Sequence, residues 1–77
     1  MTQDLPEQID QQRQKLGTRI RDLRDHALLT QEAFAEMTGI SRRRLQRIEH
    51  GIGDPRYSDL IRIAAALEMP LTELVQE

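Results

Sequence analysis

Seventy-seven residues allow one domain, and a chain this short buries only about 60 % of its unfolded surface. It has no Cys, which excludes a disulfide framework and a Cys-based zinc site, and a single Phe and Tyr without Trp exclude a large aromatic core. The formal net charge of −2, taken as a sum, argues against a nucleic-acid partner.

The periodicity is helical from end to end. Leu16, Ile20, Leu23 and Ala27 form one apolar stripe at helical spacing, and Ile9 extends it backward by two turns. Asp4-Leu5-Pro6-Glu7 has the pattern of a capping box with proline in the first turn. The first helix is therefore expected from near Leu5 to His26, with residues before about Gln11 either continuing it or remaining disordered. Gly17 is its weak point. Thr30 is the expected N-cap of a second helix that buries Phe34, Ala35 and Met37. Thr38-Gly39-Ile40 forms a turn in which glycine adopts positive φ. Ser41 caps a third helix, which ends at Gly51 and the loop Gly53-Asp54-Pro55. Ser58 is the expected cap of a fourth helix with Leu60, Ile63, Ala64 and Leu67 on one side. Pro70 opens a last short helix containing Leu71, Leu74 and Val75. Nothing alternates with period two, so the fold class is all-α, five helices without a sheet.

Charge is distributed unevenly along these helices. Residues 1–12 carry Asp4, Glu7 and Asp10 and no base, and after Arg62 come only Glu68, Glu73 and Glu77. The bases lie between Arg13 and Arg62 and are densest from Arg42 to Arg47. A positive face can coexist with acidic ends. On a wheel of about 100° per residue, Leu45, Ile48 and Glu49 fall together and face inward, while Arg43, Gln46, Arg47 and His50 point outward. Arg42 sits in the first turn and Arg44 on a flank. Four arginines with no acid before Glu49 repel one another unless an anion neutralises them. Arginine on an exposed helix face suits two-point hydrogen bonding to guanine O6 and N7.

The segments L-T-Q-E-A-F-A (Leu29–Ala35), T-G-I-S, L-Q-R-I-E-H-G (Leu45–Gly51) and I-A-A-A-L-E-M-P-L-T-E-L carry a family resemblance. From about Leu16 to Val75 the chain resembles the helix-turn-helix domains of lambda-repressor and Cro-like regulators, the xenobiotic-response-element family. The resemblance implies a compact five-helix bundle and a transcription regulator, repressor or activator, that binds operator double-stranded DNA, usually as a homodimer. It places Thr30 and Ser41 where helix N-termini approach the phosphate backbone, and it makes Gln31, at the start of the second helix, the family glutamine that contacts phosphate while supporting the recognition helix. Arg42, Arg43 and Arg47 fall at base-reading positions, and Arg44 and Arg56 where relatives touch phosphate. It implies a structural salt bridge between Arg24 and Glu49, and pairing through the C-terminal region, with Met69, Leu71, Leu74 and Val75 as interface candidates. Leu28 and Glu68 depart from the pattern, standing where relatives often end a helix with Gly. Asp54 makes the loop after the third helix acidic, so fewer phosphate contacts are expected there. Residues 1–15 form an N-terminal extension with no inherited role, which can prolong the first helix, and residues 16–77 form the DNA-binding domain.

His26 and His50 have no ligand-spaced companions, so no metal and no cofactor is expected. No phosphate-cradling glycine loop, paired carboxylate or nucleophile arrangement occurs, so an enzyme is not expected. No small-molecule effector site is visible. No stretch approaches the roughly 20 apolar residues of a membrane span, and the acidic N-terminus is the opposite of a secretory signal. A cytoplasmic location is expected. The competing reading is a protein-interaction module on the same fold, an antitoxin-like or adaptor subunit.

Overall fold

Apolar residues spaced by three and four give each segment one face to bury, and the five helices bury those faces on one another. A computed structural model describes residues 4–76. The helices are α1 (Leu5–His26), α2 (Gln31–Thr38), α3 (Arg42–Glu49), α4 (Tyr57–Ala66) and α5 (Leu71–Leu74), with no strand among the described residues. α1 packs on α3 and α5, α2 on α3 and α4, and α4 on α5. The core is Ile20, Phe34, Ile40, Leu45, Ile48, Ile63, Ala64 and Leu74, with Leu16, Leu23, Leu60 and Leu67 packed around it.

At several points the local structure departs from what residue type and spacing predict. Asp4 stands at the N-cap of α1, but its side chain makes no cap bond. Residues 4–7 are exposed, so water can satisfy the first N–H groups. Ile9 and Ala27 are exposed because they lie toward the two ends of α1, outside the core cluster. Met37 also faces solvent. Thr38 is buried in its place, its hydroxyl donating to the Phe34 carbonyl at 2.8 Å and accepting from the Ile40 N–H at 3.2 Å. Ser58 is not the cap of α4. The helix starts one residue before it, and Asp59 at the third helical position accepts the N–H of Arg56, the N-cap residue, at 2.8 Å. Val75 follows α5 rather than continuing it.

Three helices end in the same way. The N–H groups of Leu28 and Leu29 return to the carbonyls of Asp25 and Arg24, those of Gly51 and Ile52 to Ile48 and Arg47, and those of Glu68 and Met69 to Ala65 and Ala64. This closure requires a left-handed residue just past the cap. Gly51 takes φ 71° without a Cβ penalty, whereas Leu28 and Glu68 are forced to 61° and 55°.

Gly17 has a role that its helical context hides. A Cβ built there would lie 2.5 Å from the Ile48 carbonyl oxygen and 2.6 Å from that of Glu49. The missing side chain is what lets α1 lie directly against the C-terminal end of α3.

Candidate nucleic-acid interface

α3 is short, and its two faces differ sharply. Ser41 starts it by accepting the Arg44 N–H at 3.2 Å, as Thr30 starts α2 by accepting that of Ala33 at 3.0 Å. The inner face buries Leu45, Ile48 and Glu49. Glu49 meets the Arg24 guanidinium at two points, Nε to Oε2 at 2.8 Å and Nη2 to Oε1 at 3.0 Å. Arg24 Nη1 also donates to the Leu29 carbonyl at 2.7 Å. The hydrogen bonds to Glu49 push Arg24 above the ordinary guanidinium range, so the pair stays charged wherever the acid is ionised. The pair ties α1, α3 and the start of α2 together and leaves no net charge beneath the basic helix.

The outer face is the reverse. Arg42, Arg43, Arg47 and His50 are exposed. Among the described residues, none of the three guanidinium groups has a hydrogen-bonding or ion-pair partner in the protein. His50 Nδ1 lies 2.7 Å from the Gln46 carbonyl. Gln46 is half-buried, and its Nε2 donates to Gln31 Oε1 at 3.2 Å. Gln31, the first residue of α2, donates in turn from its own Nε2 to Glu49 Oε1 at 3.1 Å.

Arg44 differs from its neighbours. Its Nη2 lies 2.5 Å from Asp59 Oδ2, on a carboxylate that is almost fully buried. Asp59 thereby joins α3 to the first turn of α4, a role that sequence pattern alone did not bring out. Its one local signal is its place three residues after the position where the α4 cap falls. The Arg56 side chain is exposed at the start of α4, and the guanidinium of Arg62 donates to the Thr38 carbonyl at 3.3 Å across the turn between α2 and α3.

Asp54 does not stand alone in the loop after α3. Arg13 Nε donates to it at 2.7 Å, and Arg13 Nη1 donates to Asp10 at 3.1 Å. The hydrogen bond from Arg13 holds the Asp54 carboxyl below its usual range. The N-terminal part of α1 thus reaches the loop and offsets its negative charge, a pairing 41 residues apart that no local pattern announces.

Of the C-terminal candidates, Met69 and Leu71 are partly exposed and Val75 is exposed. Leu74 has no exposed surface. It belongs to the protomer's own core and not to an interface, because a side chain enclosed on all sides has nothing left to offer a partner. Among the described residues, no group of three or more His, Asp or Glu could hold a metal ion, and no helix is long and apolar enough to cross a membrane.

The arrangement of a capped helix, a left-handed Gly39 turn and a second capped helix with a bare arginine face matches a known sequence family. The helix-turn-helix family HTH_3 covers residues 20–74. The chain belongs to the HTH_3 helix-turn-helix family. Its function is accordingly that of a DNA-binding transcription regulator. Among solved structures, this HTH_3 domain is similar to the restriction-modification controller protein C.AhdI from Aeromonas hydrophila. The two are 31 % identical, with a TM-score of 0.78 over 80 % of this chain and 94 % of that one. It is also similar to an HTH_3 family transcriptional regulator from Vibrio cholerae, at 27 % identity and a TM-score of 0.80. ComR from Streptococcus suis is 40 % identical, with a TM-score of 0.74. The match spans 86 % of this chain and 37 % of the Vibrio cholerae protein, and 79 % of this chain and 20 % of ComR. No curated protein matches the sequence significantly.

Proposed function

We propose that this HTH_3 domain is a sequence-specific regulator that sets α3 into the major groove of operator DNA and acts in the cytoplasm as a homodimer on a two-fold site. The observation that carries the reading is the contrast within α3. Among the described residues Arg42, Arg43 and Arg47 have no protein partner, while the one acid of the helix is turned inward and paired with Arg24. Unpaired guanidinium groups on an outward helix face are what phosphate and guanine edges neutralise. Thr30 and Ser41 sit at the N-termini of α2 and α3, where N–H groups favour an anion, and Arg56 lies at the start of α4. Gln31 lies at the start of α2, beside α3. Met69, Leu71 and Val75 are the surface left for the second protomer, which would bring two α3 helices to half-sites about one helical turn, roughly 34 Å, apart.

The test is selection of bound fragments from a random DNA pool, followed by binding curves on the selected site for the native chain and Arg47→Ala. A two-fold site with guanine in each half is expected, with preference at one position relaxed in the variant. A binding curve that Arg47→Ala leaves unmoved would overturn the docking of α3. An absence of salt-dependent DNA binding would overturn the whole reading and favour a protein-interaction role.

A further inference from the structure

Gln46 lies beside the proposed base readers Arg43 and Arg47, on the side of α3 that meets Gln31 of α2, and a chain of hydrogen bonds running back to the α1–α3 ion pair sets the direction of its amide. The chain starts at Glu49 Oε1, which accepts from Arg24 Nη2 at 3.0 Å and from Gln31 Nε2 at 3.1 Å. A carboxylate bound to a guanidinium offers acceptors only, so Gln31 must turn its NH2 group toward it. The Gln31 carbonyl oxygen then faces the other way and can only accept. It does so from Gln46 Nε2 at 3.2 Å. Gln46 is thereby oriented as well, with its nitrogen toward Gln31 and its Oε1 away from it. Among the described residues Oε1 accepts no hydrogen bond, and only one of the two Nε2 hydrogens is used.

What Gln46 has left is an acceptor and a donor side by side, in an order it cannot reverse without breaking the chain. In the major groove, adenine presents the complement, an N6–H donor beside the N7 acceptor. Guanine presents two acceptors, N7 and O6, and would set a carbonyl oxygen against the Gln46 oxygen. We propose that Gln46 is a specificity-determining residue that reads an adenine next to the guanines taken by the arginines. Gln31, Glu49 and Arg24 act as positioning residues that hold its amide in the reading direction. The proposal rests on α3 being the groove-inserted helix. Beyond that, it adds a fourth base contact of different chemistry and gives the buried ion pair a part in sequence choice.

The experiment is the same random-pool selection, carried out with the native chain, Gln46→Ala, Gln46→Glu and Gln31→Leu, each checked for folding by its thermal melt. The native chain is expected to select one A·T pair per half-site beside the guanines. In Gln46→Ala the preference for that pair falls about tenfold while the guanine preferences stand. Gln46→Glu keeps the side chain's length but offers two acceptors, and it loses the adenine as well. Gln31→Leu leaves Gln46 in place but frees its amide, so the adenine preference weakens. A role confined to packing would lower the melting point and leave base preference unchanged. Native chain selecting an operator with no adenine that responds to either Gln46 variant overturns the proposal and leaves the docking of α3 intact. Native chain selecting no operator overturns the docking itself.

Discussion

Arg24 and Glu49 lie 25 residues apart and form a two-point ion pair in the protein interior, at 2.8 and 3.0 Å. Both are almost fully buried, at 8 % and 4 % exposure. Removing one member leaves the other as an uncompensated buried group, which costs about 3–5 kcal/mol. Glu49→Gln is therefore expected to lower the melting temperature by more than about 10 °C, read by circular dichroism at 222 nm. Melting that stays within a few degrees of the native chain would mean that the pair is not the clasp between α1 and α3.

Gly17 offers a test in which helix propensity and packing predict opposite signs. Alanine in place of glycine within a helix gains about 1 kcal/mol by propensity. Here the added Cβ meets the carbonyl oxygens of Ile48 and Glu49 at 2.5 and 2.6 Å, and backbone cannot swing aside as a side chain would. Overpacking of this kind costs about 1–3 kcal/mol or more. Gly17→Ala should lower the urea midpoint, and a rise would show that α1 and α3 can separate without loss.

Leu28 and Glu68 should give the opposite result. Both hold left-handed backbone, at φ 61° and 55°, where a side chain costs about 1–2 kcal/mol. Leu28 is 91 % exposed, so its side chain contributes no packing in the protomer. Leu28→Gly and Glu68→Gly are each expected to stabilise by about 0.5–1 kcal/mol once the added freedom of the unfolded chain is subtracted. Equilibrium unfolding in urea measures the gain, and destabilisation by either variant would contradict the helix-end geometry.

Arg44 and Asp59 separate anchoring from DNA contact. A free arginine that binds phosphate changes the slope of log K against log salt by about 0.9 per contact. Arg44 is engaged with Asp59 at 2.5 Å, so its first role is to hold α3 to α4. Arg44→Ala is expected to lower the melting temperature while changing the salt slope by well under one unit. Arg56→Ala, at an exposed side chain on the start of α4 where a phosphate contact is expected, should do the reverse. A full unit of slope lost in Arg44→Ala would show that this guanidinium leaves Asp59 for a phosphate on binding.

Local order is legible in the chain itself. The extent of α1, the Thr30 and Ser41 caps, the Gly39 turn and the division of α3 into inner and outer faces all follow from residue type and spacing within about one or two turns. At that range, backbone sterics and side-chain-to-backbone bonds decide conformation. Departures within that range come from competition between neighbours. Met37 loses the buried place to Thr38, whose hydroxyl satisfies itself on the Phe34 carbonyl. Ser58 loses the cap because Asp59 accepts the Arg56 N–H from one residue further on.

What the sequence by itself determined is an all-helical chain with a basic, outward-facing third helix, because helix periodicity and charge placement are properties of neighbours in the chain. Tertiary structure decided which of the arginines of that helix remain free. Asp59 takes Arg44, Arg13 takes Asp54, and Glu49 takes Arg24 and Gln31, leaving Arg42, Arg43 and Arg47 without partners among the described residues. Those pairings join residues 15 to 41 positions apart. Whether an ion pair or hydrogen bond forms depends on a few ångströms between helices, and packing sets that distance. The same holds for Gly17, whose missing side chain matters only because another helix lies against it, and for Leu74, which closes the core instead of facing a partner.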